Sequence, residues 1–211
     1  MSRIPANDYS RLIDTNFKGV VYGSQTALRQ FMRQGSGTLV NMGSIDREVP
    51  LAYQSTYAAS KAAVFSLGRS VQQELRHAGY NRSIRIVTVM PWAVDTPWWA
   101  HAANYSGHAP RMAMMDDPSK VVEALLYVSL HPRAEVPVGW KAQASYSMHG
   151  ILPDAVEAIS ANIQRAELAK GSPAPNTSGT LHQPMQQGQG VAGGIRARMK
   201  AEDQRPRPQQ P

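Results

Sequence analysis

The chain has 211 residues, 42% of them hydrophobic, no cysteine and a formal net charge of +7. That suits one globular domain with a substantial core and excludes disulfides and thiolate metal sites. The isoelectric point of about 9.9 raises nucleic-acid binding. However, much of the positive charge gathers at the C-terminus, in Arg196, Arg198, Lys200, Arg205 and Arg207 among Gly, Gln and Pro, with no basic helix interleaved with aromatics. A solvated basic tail and no nucleic-acid partner are therefore expected.

Tyr9 to about Arg33 reads as an amphipathic helix, with Ile13, Phe17, Val20, Val21, Ala27, Leu28 and Phe31 at helical spacing and Gly35-Ser36-Gly37 ending it. Thr38–Met42 has the length and composition of a short buried strand. A loop with Pro50 leads to a helix from about Ser55 to His77, stopped by Gly79. Ser83–Met90 is the clearest strand. Trp92 to Asp116 is irregular and rich in aromatics, Ala and Met, and Asp117-Pro118 caps a helix to about Leu130. Glu135–Trp140 fits one more short strand and Pro153–Lys170 a helix. From Gly171 onward Gly, Ser, Pro and Gln predict little fixed structure. Strands alternating with helices indicate an α/β domain, a parallel sheet with flanking helices. The expected division is residues 1–150 as domain, 151–170 as helical extension and 171–211 as flexible basic tail. The longest apolar stretches, such as Ile84–Val94, are too short to cross a bilayer, and the start carries no secretion signal, so a cytoplasmic protein without a membrane partner is expected.

Tyr57 and Lys61, four apart on a helix, share one face. An ammonium near a phenol favours the phenolate. The pair fits a proton shuttle to a substrate oxygen, and it also fits an ordinary exposed helix pair. Ser44 lies just beyond the strand Thr38–Gly43, at the carboxyl end where a parallel sheet presents its ligand crevice, thirteen residues before Tyr57.

Ser44 at this distance from Tyr57-Ala58-Ala59-Ser60-Lys61-Ala62 resembles the short-chain dehydrogenase/reductase family. Asn16, with Gly19 three residues later, looks like the family's helix asparagine, and Pro91-Trp92-Ala93-Val94-Asp95-Thr96 is similar to its Pro-Gly-x-Val/Ile-x-Thr segment. The matches run in the family's order over roughly residues 9 to 140. The resemblance implies a Rossmann-like fold, NAD or NADP as cofactor, and hydride transfer to or from a small-molecule carbonyl or alcohol. Tyr57 would be the general acid/base and Ser44 would stabilise charge on the substrate oxygen. Lys61 would lower the Tyr57 pKa and bind the nicotinamide ribose, and Asn16 would hold a water leading from Lys61 to solvent. Pro91, Val94 and Thr96 would form the nicotinamide contact, with Val94 and Thr96 at the carboxamide. Helices Tyr9–Arg33 and Ser55–His77 would pair across a homodimer or homotetramer of the full-length parent. Pro137-Val138-Gly139-Trp140-Lys141, Thr177-Ser178-Gly179-Thr180-Leu181 and Pro184-Met185 resemble the C-terminal extension of some bacterial members.

The chain departs from the family at its start. No glycine-rich Thr-Gly-x-x-x-Gly-x-Gly turn precedes Asn16, and the Asn-Asn-Ala-Gly segment is missing. The expectation is an N-terminally truncated domain lacking its first strands, on the order of 100 residues, with an exposed sheet edge. The alternative reading is a non-catalytic fragment or dimerisation module that no longer binds nucleotide. Gly188–Gly194 is glycine-rich but follows no strand and reads as tail. Trp92, in place of the usual Gly, with Trp98 and Trp99 either narrows the pocket towards apolar or flat substrates or packs a loop on the core. The six histidines show no metal-binding spacing, and no metal is expected.

Overall fold

A computed structural model describes residues 4–204. The first helix is continuous but not uniform. Helices α1 (Ala6–Ile13) and α2 (Gly19–Gln34) are joined without a break by a π-helical stretch, Asp14–Lys18. Gly35, at φ 85°, ends α2 by donating its N–H to the Phe31 carbonyl. Strand β1 (Gly37–Met42) follows, then a 3₁₀ turn (Ile45–Arg47), helix α3 (Ser55–His77) and strand β2 (Ile84–Pro91). After a short α4 (Trp98–His101) come α5 (Pro118–Leu130) and strand β3 (Glu135–Val138). Helices α6 (Gly139–His149), α7 (Pro153–Lys170) and α8 (Ile195–Asp203) complete the described chain.

The sheet is parallel in the order β1-β2-β3, with Gly37 opposite Ile84 and Pro91 opposite Val138. Alternation along β2 divides its side chains between two cores. Ile84 and Ile86 pack with Leu75 under α2 and α3, joined by Leu28, Phe31 and Val71. Val87 and Val89 face the other way, onto Val128 and Leu125 of α5. Full burial of such a side chain is worth about 1.5–3 kcal/mol, so β2, covered on both faces, is the strand the fold is built around. Among the described residues β1 pairs only with β2.

The helices at Ser55–His77, Pro118–Leu130 and Pro153–Lys170 match their sequence expectation. Asp117 caps α5 by accepting from the Ser119 N–H at 3.1 Å. The third strand is shorter than expected. It stops at Val138 because Gly139, at φ 78°, turns the chain into α6, whose Trp140 was expected in the strand and is instead exposed.

The larger difference lies beyond Lys170, where composition predicted little fixed structure. Residues 171–204 have a defined course in the structure, lying along the irregular stretch after β2. They form isolated antiparallel bridges, Asn104 with Thr177 and His108 with Pro173, and end in α8. Their anchors are mostly polar. Arg111, fully buried, reaches Glu167 of α7 at 3.3 Å and Glu202 and Asp203 of α8 at 2.5 and 2.6 Å. Ile195 enters an apolar cluster with Leu51, Trp99, Met112 and Met115. Of the cations expected to be solvated, Arg196 pairs with Asp95 and Asp117, and Arg198 bonds the Pro110 carbonyl. Arg205 and Arg207 lie outside the described residues. Among the described residues no helix is long and apolar enough to cross a membrane.

Candidate active site

Strand β1 runs out into Gly43 and Ser44 at the carboxyl edge of the sheet. Gly43 is needed there: its N–H bonds the Val89 carbonyl at 2.8 Å, and an added Cβ would stand 2.7 Å from the Thr88 side chain. The ladder is thereby carried one residue further, and Ser44 is presented at its end. Ser44 is buried, extended and at the N-cap of the 3₁₀ turn, where its hydroxyl accepts from the Asp46 N–H at 3.2 Å. Asp46 is itself buried, two residues beyond.

Helix α3 brings Tyr57 and Lys61 to the same place. The Ser44 hydroxyl is close enough to the Tyr57 phenol to favour its ionised form. Lys61 Nζ donates to the Met42 carbonyl at 2.9 Å, at the end of β1, and stands 5.6 Å from the Tyr57 ring centre. Ser44, Tyr57 and Lys61, chosen from the sequence, are thus brought together.

Asn16 is one element removed. It sits in the π-helical stretch, where the widened turn redirects side chains, and such stretches recur at functional sites. Its Nδ2 donates at 3.2 Å to Ser60 Oγ, which in turn donates to the Tyr57 carbonyl at 2.7 Å. Asn16 therefore braces the backbone of Tyr57 through a fully buried serine.

Burial and Asp46, a residue outside the motif, together set the electrostatics of the site. Burial pushes the Asp46 carboxyl up to about 7, with the Lys61 charge opposing. Burial, and after it the Asp46 carboxylate, push the Tyr57 phenol up to about 12, with the Ser44 hydroxyl opposing. Burial lowers Lys61 from its usual ammonium value, and Asp46 resists that. The resemblance implied a phenol made more acidic by Lys61. In this arrangement the phenol is firmly protonated, chiefly because it is desolvated, with the Asp46 carboxylate adding to that. The one signal in the sequence was an acid placed directly after Ser44-Ile45, at the sheet's ligand edge.

Pro91 ends β2, paired with Val138. Beyond it the Val94 carbonyl accepts from the Thr96 N–H at 2.9 Å and from Trp99 Nε1 at 2.8 Å, which folds Val94–Thr96 into a tight turn. The turn is linked to Tyr57 through Trp98, whose ring centre lies 5.2 Å from that of Tyr57. The tryptophans divide between the two expectations. Trp98 is part-exposed against Tyr57, whereas Trp99 is buried and Trp92 packs on the same apolar cluster, its Nε1 donating to the Ala113 carbonyl at 3.1 Å.

Two of the glycines at 188–194 allow close approach of the chain. Gly188 lies against His101 and Pro97, and an added Cβ at Gly193 would come within 2.3 Å of the Thr96 carbonyl oxygen. Two cavities, of about 420 and 340 Å³, border this C-terminal segment, and neither is lined by Tyr57 or Lys61. Among the described residues no cluster of three or more His, Asp or Glu could hold a metal.

Comparison with known proteins bears on the family and the fold. The family model described as short chain dehydrogenase matches residues 1–105. An uncharacterised oxidoreductase of Bacillus subtilis, YxnA, is 31% identical over 153 residues, covering 71% of this chain and 42% of the relative. One from Staphylococcus aureus is 32% identical over 127 residues, 60% of this chain and 51% of the relative. The chain spans about half the length of these curated relatives. A crystal structure of a short chain dehydrogenase from Burkholderia cenocepacia, in complex with NADP, superposes with a TM-score of 0.55 at 23% identity, over 70% of this chain and 56% of that one. A short-chain dehydrogenase from Streptomyces avermitilis does so with a TM-score of 0.58 at 21% identity, over 75% and 61%. These two likenesses carry the fold. With the ordered motif, the matching family model and the relatives together, the chain belongs to the short-chain dehydrogenase/reductase family.

Proposed function

We propose that this chain carries the proton-transfer half of an NAD(P)-dependent oxidoreductase acting on a small-molecule carbonyl or alcohol. The observation that carries the reading is the meeting of Ser44, Tyr57 and Lys61 at the carboxyl end of β1. A protonated phenol is the form needed to deliver a proton to a carbonyl oxygen, and Ser44 is placed to donate to that same oxygen as charge develops on it. For the reverse direction Tyr57 must lose its proton. That calls for a neutral Asp46 and for Lys61 Nζ turned from the Met42 carbonyl towards the phenol. With its carboxyl near 7, Asp46 is poised between its two states at neutral pH. Asn16 and Ser60 keep Tyr57 in register.

The residues present suit the nicotinamide end of such a cofactor, which when bound supplies or accepts the hydride. Lys61 would meet the ribose, and Pro91, Val94 and Thr96 the nicotinamide, with the Thr96 hydroxyl at the carboxamide. Among the described residues no glycine turn joins a strand to a helix N-terminus in the way a pyrophosphate site requires. The second reading is that these residues alone are a catalytically silent fragment or dimerisation module.

The test starts with the intact mass of the native protein from its source, so that the form assayed is the natural one. That form is titrated with NADPH and NADH and assayed on a panel of carbonyls. Tyr57→Phe is expected to cost roughly 10²–10⁴ in turnover with cofactor affinity nearly unchanged. Wild-type turnover in that variant would sink the mechanism. A native protein that binds neither cofactor would establish the second reading.

A further inference from the structure

Asp95 stands in the middle of Pro91–Thr96, and its side chain serves a different part of the molecule from its neighbours. The residue is buried. Its carboxylate accepts from the Ile195 N–H at 2.8 Å and the Arg196 N–H at 3.4 Å, the first amides of α8, and from Arg196 Nε at 3.0 Å. A helix leaves its first amides without internal partners and its N-terminus partly positive, so a carboxylate there acts as a cap supplied from outside the helix. The backbone repeats the attachment. The Asp95 carbonyl accepts from the Gly193 N–H at 3.1 Å, and the Asp95 N–H donates to the Asp116 carbonyl at 3.0 Å. Gly193 lies so close to Thr96 that no side chain fits between them. On the far side Ile195 packs with Trp99, which meets Trp98 edge-on at 5.1 Å between ring centres, and Trp98 in turn lies against Tyr57.

We propose that Asp95 is a positioning residue: it clasps the segment Gly193–Asp203 onto the Val94–Thr96 turn, so that α8 holds that turn and Trp98 in place beside Tyr57. Helix α8 is thereby a working part of the site, although it lies about a hundred residues away in sequence. Arg111, paired with Glu202 and Asp203, fastens the other end of α8 and makes the clasp two-ended. The role towards the nicotinamide rests on the functional reading above, whereas the mechanical coupling does not.

Amide hydrogen exchange on the full chain tests the coupling. Asp95→Asn and, separately, Gly193→Val are expected to speed exchange in α8 and at Thr96–Ala102 together, by about tenfold or more. Arg196→Ala keeps the fold, because that side chain is half-exposed, and should move both segments in the same direction by only about two- to threefold. Loosening of α8 with Thr96–Ala102 unchanged would overturn the clasp, as would no change in either. A fluorescence titration with NADPH then reads the positioning role. Affinity should weaken about fivefold in Asp95→Asn and recover in Asp95→Glu. Coupled exchange with unchanged affinity would refute the positioning role. An unaltered protein that does not bind NADPH would remove the functional reading, and exchange would still decide the clasp.

Discussion

Between Gly37 and Pro91 the chain is held by apolar faces. Strand β2 divides its side chains between α3 and α5, and α3 returns the chain to the sheet with Leu75 fully buried. Between Gly171 and Gln204 it is held by buried charge. Arg111 gathers Glu167, Glu202 and Asp203, Asp95 caps α8, and a single cluster around Ile195 supplies the apolar contact. The two regions meet at Val94–Trp99, beside Tyr57. Apolar burial is spread over many residues and tolerates the loss of one. A buried ion network concentrates its effect, because one buried cation, Arg111, serves three carboxylates at once.

The largest effect should come from breaking that network. Arg111→Met removes the buried cation shared by Glu167, Glu202 and Asp203, leaving Glu202 with Ser172 and Arg198, and is expected to cost about 3–5 kcal/mol. The loss should appear as early release of residues 171–204, seen by limited proteolysis, with the sheet intact. Simultaneous loss of both regions would show that they are one cooperative unit.

A comparable effect is expected from Asp46, and it depends on pH. Its carboxyl is near 7 when folded and near 3.8 when unfolded, so the unfolded chain releases the proton first as pH rises. The wild type should therefore lose stability, on the order of 4 kcal/mol at most, between about pH 4 and pH 7. Asp46→Asn should show no such loss. Denaturant midpoints across that range check this, and parallel curves for the two proteins would refute it. In an active form the same variant should move the alkaline limb of the rate profile to lower pH, since the charge that raises the Tyr57 phenol is gone.

Leu75→Ala probes the apolar region and should cost about 3 kcal/mol. Here calorimetry should show the whole sheet melting earlier, the opposite signature to Arg111→Met. The smallest effect is expected at Asp117, which caps α5 and pairs with Arg196 of α8. Asp117→Ala should lower Tm by roughly 2 °C, and an unchanged Tm would show that neither contact contributes.

The same contrast explains what could be read in advance. Helix α3 and strand β2 are legible because their apolar spacing repeats, and Ser44, Tyr57 and Lys61 because a motif on regular elements keeps its spacing in space. Helix α6 was missed, since its only mark is the turn at Gly139 and its buried Lys141 reaches back to Asp116 at 2.8 Å. The wrap after Gly171 was missed because Ile195 and Glu202 are single residues in a polar stretch, and composition averages them away.

Local spacing determined which helices and strands form, which of their faces seek burial, and that Tyr57 and Lys61 share one helix face, whereas the resemblance implied that Ser44 joins them. What spacing determined depends on periods of two and 3.6 residues, which the chain carries within itself. The tertiary structure alone decided that Asp46 would be desolvated beside Tyr57 and Lys61, that Asn16 would act through Ser60, and that Asp95 would cap a helix a hundred residues away. A carboxylate's protonation and partners depend on what excludes water from it, and here that is other parts of the chain.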